Sequence, residues 1–580
     1  MKLQLSAICG LLVLPTLPFA QNVRAADFAD SMTTGPNAGP TIASDGNLTA
    51  IMYNAVNAPH QVNVVTSDGR GLTWSDPVRI DDDATGATKL TGALIGTATR
   101  NLAVSGNNIY ACWRDNRNAP SATKTDVYFT RSTDGGATWD ANTRIDLGIA
   151  PGVGDVRDWI MEIEPPYVHI LVSVDPDDAS NEEVYLVSSV DNGATFFPAV
   201  SVNSQNGVVD VDDIGLAVQG KSVYCVWSDD RSGSTASDDV FLNASFDGGV
   251  TFAGEFQVNS SPLGTGDAED TTHVKAQGNV VFVAWQEELT STSTEELRGA
   301  LSVDGGVTFG ADFKIGNYVA GSDDTDLAWI DIVGLLPVAA WEDNRGIGDQ
   351  VFVSVSNDLG ASWTDTQIGT NGQFPRIFGT GDPLNLNVGV SYATSGGSGD
   401  CELAYSQDGG FTWTGPVSIS NSTADVDNTE FVYNELYDNY IATYIADDLG
   451  SNNVFAGGVR PQTCSITSSV TGSTTQFDLS GWEPNAPRFV WVLGSNSPGT
   501  FLLPFGDGRN LGLGLDGVLL ATLNNPTTFL TNVDATGVGT SGSFTLGVPA
   551  GITFYQAAVS FDLGPVTLAE ISDVVAVDVM

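Results

Sequence analysis

An eight-residue phrase, "STDGGATW" at residues 132–139, returns with small changes along most of the chain. It reads "SVDNGATF" from Ser189, "SFDGGVTF" from Ser245, "SVDGGVTF" from Ser302, "SNDLGASW" from Ser356 and "SQDGGFTW" from Ser406. A looser copy with one extra residue, "TSDGRGLTW", begins at Thr66. The aspartates at the third position are Asp68, Asp134, Asp191, Asp247, Asp304, Asp358 and Asp408, 50 to 66 residues apart. Recurrence at such a period marks a repeat architecture, in which each repeat is one unit that buries its apolar faces against its neighbours.

The rest of each period repeats too. A short strand and a Gly/Asn turn lead into a strand ending in an aromatic and a charged turn, as in "NIYACWRDNR", "SVYCVWSDDR" and "PVAAWEDNR". A third strand such as "DVYFTRS" runs into the phrase, and a fourth, such as "TRIDLG" or "FQVNS", follows it. Alternating apolar and polar positions, rich in β-branched and aromatic residues, predict antiparallel strands. Four strands per unit at this spacing predict an all-β chain built on a β-propeller. The final unit, "TEFVYNELYDNYIATYIADDLGSNNVFAGGV", supplies three strands and no phrase. Its missing outer strand is expected from residues 27–35, "DFADSMTTG", which would close the ring and leave no exposed sheet edge. Eight blades follow, or seven if one terminal unit packs outside the ring.

Each residue of the phrase has a structural task. The aspartate can accept hydrogen bonds from turn N–H groups, and the glycine two residues on tolerates positive φ. Ser and Thr hydroxyls can satisfy nearby backbone groups, and the last aromatic can bury itself between hairpins. A ring needs many blades but an active site needs one acid and one nucleophile, so the repeated aspartates are read as structural. The pattern S-x-D-x-G-x-T-W resembles the Asp-box, or BNR repeat, of sialidase-like propellers, over residues from about 36 to 460. That superfamily includes exo-sialidases, other glycoside hydrolases and binding propellers, so the resemblance implies a fold more than an activity.

In such a blade the phrases lie on one face and the sialidase site on the other. On that other face the sequence places acidic runs before the innermost strands, at residues 155–158, 210–213, 267–270, 323–326 and 425–427. A second acidic series, Asp115, Asp229, Glu287, Asp343 and Asp447, ends the second strands, and Arg117, Arg231 and Arg345 follow in three of them. Loop-tying ion pairs are expected, Arg231 with Asp212 or Asp213 and Arg345 with Asp324 or Asp326. Calcium is the alternative use for Asp210, Asp212, Asp213, Asp323, Asp324 and Asp326, because hard oxygen ligands suit it.

The resemblance implies that an exo-sialidase here would need three arginines on the substrate carboxylate, a tyrosine nucleophile with its glutamate, and an acid/base aspartate. A guanidinium suits the first task through its planar fork. The family's first arginine has no counterpart in "GPTIASDGN". Arg100, Arg157 and Arg376 stand at starts of innermost strands, and Glu430, Tyr433 and Glu435 offer a nucleophile pair. Arg157, between Asp155 and Asp158, is expected to be neutralised. Recognition of a glycan or protein ligand is therefore favoured over turnover, with exo-sialidase or another exo-glycosidase as the alternative. Trp113, Trp227, Trp285 and Trp341 recur at one strand position, as core residues do, whereas Trp159 and Trp329 sit in innermost strands of only two blades.

Composition sets the surroundings. A basic residue, an apolar run over residues 3–20 and a Val-Arg-Ala site predict a secretory signal peptide at residues 1–25 and an extracellular or cell-surface protein. With 22 basic against 70 acidic residues the net charge is −48, which argues against nucleic acid or anionic lipid as partner. A soluble monomer without a membrane span is expected. Three histidines, none near another in sequence, give no support to a zinc site or a His-based triad. Cys112 and Cys225 fall one residue out of register in equivalent strands, so little or no disulfide framework is expected among them, Cys401 and Cys464. The propeller is assigned to residues 26–460. After Pro461 the composition changes, and motifs such as "LPFGDGRNLGLGLD" and "GITFYQAAVSFD" resemble a C-terminal module of exported bacterial proteins, read as a β-sandwich over 461–580.

Overall fold

The structure is a computed structural model. It describes residues 21–24, 39–55, 60–71, 73–84, 89–90, 101–119, 124–176, 181–204, 209–231, 238–260, 268–288, 295–318, 325–343, 349–380, 386–394, 399–420, 426–437, 439–446 and 453–459, and strand segments between 465 and 579. Alternating strand patterns and glycine turns give no helix among these residues. The chain divides into a unit over Ala20–Val459 and a second that includes Arg460–Met580.

The first unit is an eight-bladed β-propeller. Blade 4 is representative: Val211–Gln219, Ser222–Asp229, Asp239–Ser245 and Phe256–Gln257 pair in that order as an antiparallel sheet. The innermost strands of the eight blades begin with Thr41–Asp45, Leu102–Ser105, Asp155–Glu164 and Val211–Gln219. Ala268–Gln277, Thr325–Val333, Gly372–Gly379 and Val426–Asn434 complete the set. Each touches the innermost strand of the next blade, and the last touches the first, so the ring closes.

The outer place in blade 8 is not filled as expected. Gln21–Arg24 takes it, antiparallel to Asn453–Val459, with Gln21 opposite Gly458 and Arg24 opposite Phe455. Residues 27–35 lie outside the described residues. The strand that closes the ring thus falls inside the segment read as a leader, so cleavage after Ala25 would remove it.

Cores form between blades rather than within them. Ile160, Leu171, Val184 and Leu186 of blade 3 pack with Ile214, Leu216, Val223 and Trp227 of blade 4 in one cluster. Trp113, Trp227, Trp285 and Trp341 are each fully buried, as their recurrence predicts. Trp159 is fully buried as well, and Trp329 is 8% exposed.

The repeated turn is a closed hydrogen-bond unit. In blade 5 the Ser302 hydroxyl donates to Asp304 Oδ1 at 2.8 Å and accepts the Gly306 N–H at 2.9 Å. Asp304 also accepts the Thr308 N–H at 2.9 Å and its hydroxyl at 2.6 Å. The threonine therefore serves the carboxylate rather than the backbone. These donors hold Asp191, Asp247 and Asp304 down at about 2 and lower Asp134 and Asp358 below the usual carboxylate range. Asp408 is lowered too, its hydrogen bonds outweighing an opposing desolvation. Gly306 (φ 83°) must be glycine, because a Cβ there would lie 2.4 Å from Tyr224 of blade 4. The Tyr224 hydroxyl donates to the Gly305 carbonyl at 2.8 Å, so this turn also fastens blade 5 to blade 4. The looser copy departs from this plan: Asp68 is held by the Arg70 N–H at 3.2 Å and its Nε at 2.9 Å.

In the second unit, Ser465–Thr471, Thr474–Ser480 and Gly539–Thr540 form one sheet, to which Phe544–Thr545 adds. Leu530–Asn532, Arg488–Ser495, Ile552–Asp562 and Leu568–Ile571 form another, with Val575–Val579 also on Ile552–Asp562. The expected sandwich packing of these sheets rests on side chains outside the described residues.

Candidate functional site

On the face away from the repeated turns, six innermost strands break register at one level. The breaks fall at Val156/Asp158, Val211/Ile214, Glu269/His273, Asp326/Trp329, Gln373/Arg376 and Asp427/Glu430. A bulge frees a residue from the ladder and re-aims its side chain, which is why bulges gather beside sites. The acidic runs of the sequence supply several of these bulges.

Blades 5 to 8 and blade 1 are linked there by a chain of contacts. The His273 and Trp329 rings lie 5.1 Å apart, and the Arg376 guanidinium lies 4.4 Å from the Trp329 ring centroid. Glu430 Oε2 accepts the Ile42 N–H of blade 1 at 3.3 Å. Burial lowers the pKa of Arg376, and the negative charges of Glu430 and Glu342 oppose that shift. Glu342 also accepts the N–H of Phe374. Phe374 stands at φ 57°, a conformation that costs a bulky residue about 1–3 kcal/mol and is held only where its surroundings impose it. Here the imposed geometry brings the Phe374 N–H to the Glu342 carboxylate, within the same bulge that Arg376 closes.

A second cluster lies between blades 3 and 4. Arg157, 46% exposed at its side chain, meets Asp155 and Glu182 at 3.3 Å and Asp175 at 3.4 Å. The expected neutralisation of Arg157 holds for Asp155, but Asp158 is not its partner; the strand-end Asp175 and Glu182 are. Burial, then hydrogen bonding to Asp210, pushes Glu182 up to about 8. Burial pushes Asp158 up to about 7 against the N–H of Trp159, which its Oδ1 accepts at 2.8 Å. Arg114 lies over Trp159, 5.3 Å from the ring centroid, giving that indole its own cation.

The remaining sequence candidates are placed as follows. Arg100, Asp323 and Asp324 lie outside the described residues, as do Arg345 and Asp447, and of Asp326 only the strand position is described. Tyr433 does not meet Glu430: three residues apart on one strand, they face opposite sides. Its hydroxyl instead accepts from Asn387 Nδ2 at 2.7 Å within the core. Arg157 and Arg376 belong to blades 3 and 7, four blades apart in a ring of eight, and so do not converge.

Arg231 corrects another expectation. It turns outward to Asp229 and Glu255, both at 2.5 Å, and does not pair with Asp212 or Asp213. Its guanidinium lies over the Phe241 ring at 3.5 Å, a seat on the third strand that the innermost strand cannot offer. Arg117 behaves alike, on Asp115 and Asp82 at 2.6 Å and over Tyr128 at 3.9 Å. Asp210 and Asp212 are exposed and Asp213 is buried, and among the described residues no group of three or more His, Cys, Asp or Glu side chains is placed to hold a metal.

Sequence reasoning missed Glu182, Asp175 and Glu342. Asp175 occupies the position of Asp115 and Asp229 at a second-strand end, but blade 3 has Ser173 where those strands carry tryptophan. Aligning second strands by their final carboxylate would have found it.

Comparison with family models gave no match, and none was found among curated proteins. Solved structures resemble the chain in fold. An ulvan lyase, a polysaccharide lyase, is 13% identical at a TM-score of 0.42, covering 70% of this chain and 98% of its own. The α-L-arabinanase of Penicillium chrysogenum is 15% identical at 0.35, over 61% and 90%. A mutant of Trypanosoma rangeli sialidase displaying trans-sialidase activity is 10% identical at 0.33, over 73% and 85%.

Proposed function

We propose that the chain is an exported Asp-box propeller that recognises a glycan on the bulged face of its ring and does not hydrolyse sialosides. The observation that carries this reading is the separation of the would-be catalytic groups. Arg157 and Arg376 stand four blades apart, and the Tyr433 hydroxyl is committed to Asn387 at 2.7 Å. The Arg376 guanidinium is largely desolvated and already faced by the Glu430 and Glu342 carboxylates, whose negative field opposes a sugar carboxylate. The half-buried ring of Phe374 beside Gln373 pairs an apolar surface with polar groups, as sugar recognition requires.

The full chain is tested on a glycan array and on fluorogenic substrates together. Binding without release of fluorophore from a sialoside is expected. Sialoside turnover that is lost in Arg376→Ala would overturn the reading. Hydrolysis of a neutral glycan is the second reading, favoured by the two carboxylates that act on Arg376. Turnover of a neutral glycoside that disappears in Glu430→Gln would establish it instead.

A further inference from the structure

Blade 7 sets one cation between the acids of its two neighbours. Arg376 closes the register break in Gly372–Gly379 and is half-buried, so part of its side chain meets solvent on the bulged face. Its Nη1 donates to the adjoining Pro375 carbonyl at 3.4 Å, and its buried Nε has no hydrogen-bond partner. Among the described residues it forms no ion pair. Glu430 of blade 8 and Glu342 of blade 6 nonetheless act on its charge, so each faces the guanidinium across a gap wider than direct contact.

The parts around that gap are held in place. Glu430 Oε2 accepts the Ile42 N–H at 3.3 Å, and Glu342 accepts the Phe374 N–H. The Trp329 ring backs the guanidinium at 4.4 Å, and Gln373, at the other end of the bulge, is tied to Asp349 at 3.1 Å. A guanidinium only donates and a carboxylate only accepts. A group that answers both across one gap must accept and donate at a single atom. A hydroxyl does so, whereas a carboxylate offers no donor and an ammonium no acceptor. Two acids flanking one planar fork call for two such hydroxyls side by side.

Resting on the glycan reading above, we infer that this site takes a neutral sugar by two adjacent hydroxyls, each accepting from Arg376 and donating to Glu430 or Glu342. The half-buried Phe374, in the same bulge, offers its ring to the C–H face of that sugar. One positive charge against two negative disfavours a sugar acid. A neutral ligand brings no charge to screen, so added salt leaves its affinity unaltered.

The test titrates the full chain at pH 7 with tetrasaccharides of 1,4-linked xylan, mannan and galactan, and with those of galacturonan and mannuronan as charged counterparts. The tightest neutral oligomer should bind about tenfold better than either charged one. Singly deoxygenated forms of that oligomer are titrated next. Loss of either of two adjacent hydroxyls should cost about tenfold, the scale of one hydrogen bond to a charged group, and loss of the others little. Both losses should shrink in Arg376→Lys, which keeps the charge and removes the fork. Because Arg376→Lys could disturb folding, the deoxygenated series on the wild-type chain decides by itself. Binding of charged oligomers alone, or a series in which no two adjacent hydroxyls matter, overturns this inference but leaves glycan recognition standing. Failure of every glycan to bind, on the array and here, overturns both.

Discussion

Arg376 of blade 7 lies with its guanidinium 4.4 Å from the ring centroid of Trp329 in blade 6. The indole thereby closes one side of a desolvated cation whose charge is answered by Glu430 and Glu342 of flanking blades. Removing the indole takes away both packing and a cation–π contact. Trp329→Ala should weaken glycan binding about tenfold, whereas Trp329→Phe should keep most of it. Affinities of the two variants, set beside their thermal midpoints, separate loss of the site from loss of the fold.

The inter-blade cores predict a larger stability effect. Trp227 is fully buried between blades 3 and 4, with its Nε1 donating to Asp229 at 2.7 Å. Trp227→Ala should cost about 3–5 kcal/mol, read from urea unfolding, because the ring can relax only partly into the cavity.

The turns predict an acid limb. Asp191, Asp247 and Asp304 have folded values of about 2 against an ordinary 3.8, so their stabilisation is present above 3.8 and lost as pH falls toward 2. Thermal midpoints should drop over that window. The drop should be shallower in the triple variant Asp191→Asn, Asp247→Asn, Asp304→Asn, which should also melt lower at pH 7.

The blade 3/4 cluster acts in the opposite sense. Glu182 and Asp158 have folded values of about 8 and about 7, above the ordinary 4.5 and 3.8. The folded state then holds more protons than the unfolded one, so stability falls as pH rises from about 4 toward 8. In Glu182→Gln the thermal midpoint should lose less over this range than in the wild type.

The thiols should be silent. Cys112, Cys225 and Cys401 are free and fully buried, and burial pushes each thiol up. A thiol reagent should leave them unmodified in the native chain and titrate them in guanidinium.

The ring was legible because its information is local and repeated. Ser302, Asp304, Gly306 and Thr308 lie within seven residues, and the same spacing recurs blade after blade. The tryptophans recur at one strand position, and that recurrence is itself the signature of a core residue. The candidate site was legible only in part. Arg376 and Glu430 could be picked out as residues at the starts of innermost strands, but not that Tyr433 would face Asn387 instead. A two-residue alternation carries that information: at an odd spacing of three on an unbroken stretch of strand, Tyr433 faces away from Glu430. Arg157 meets the expected Asp155 but not Asp158, and Arg231 meets neither Asp212 nor Asp213, because both guanidiniums reach beyond the innermost loops. The nearest carboxylates in space came from strand ends, as with Asp175 and Glu255.

Six innermost strands carry their bulge at the same height, outside the ladder bonds that hold the ring together. Exchanges at the exposed members of those breaks, such as Asp212 between Val211 and Ile214, change what an incoming molecule meets without removing a ladder bond. A chain built this way separates what it meets from what holds it together, with the bulges as the variable rim and the hydrogen-bonded turns on the far side as the axle.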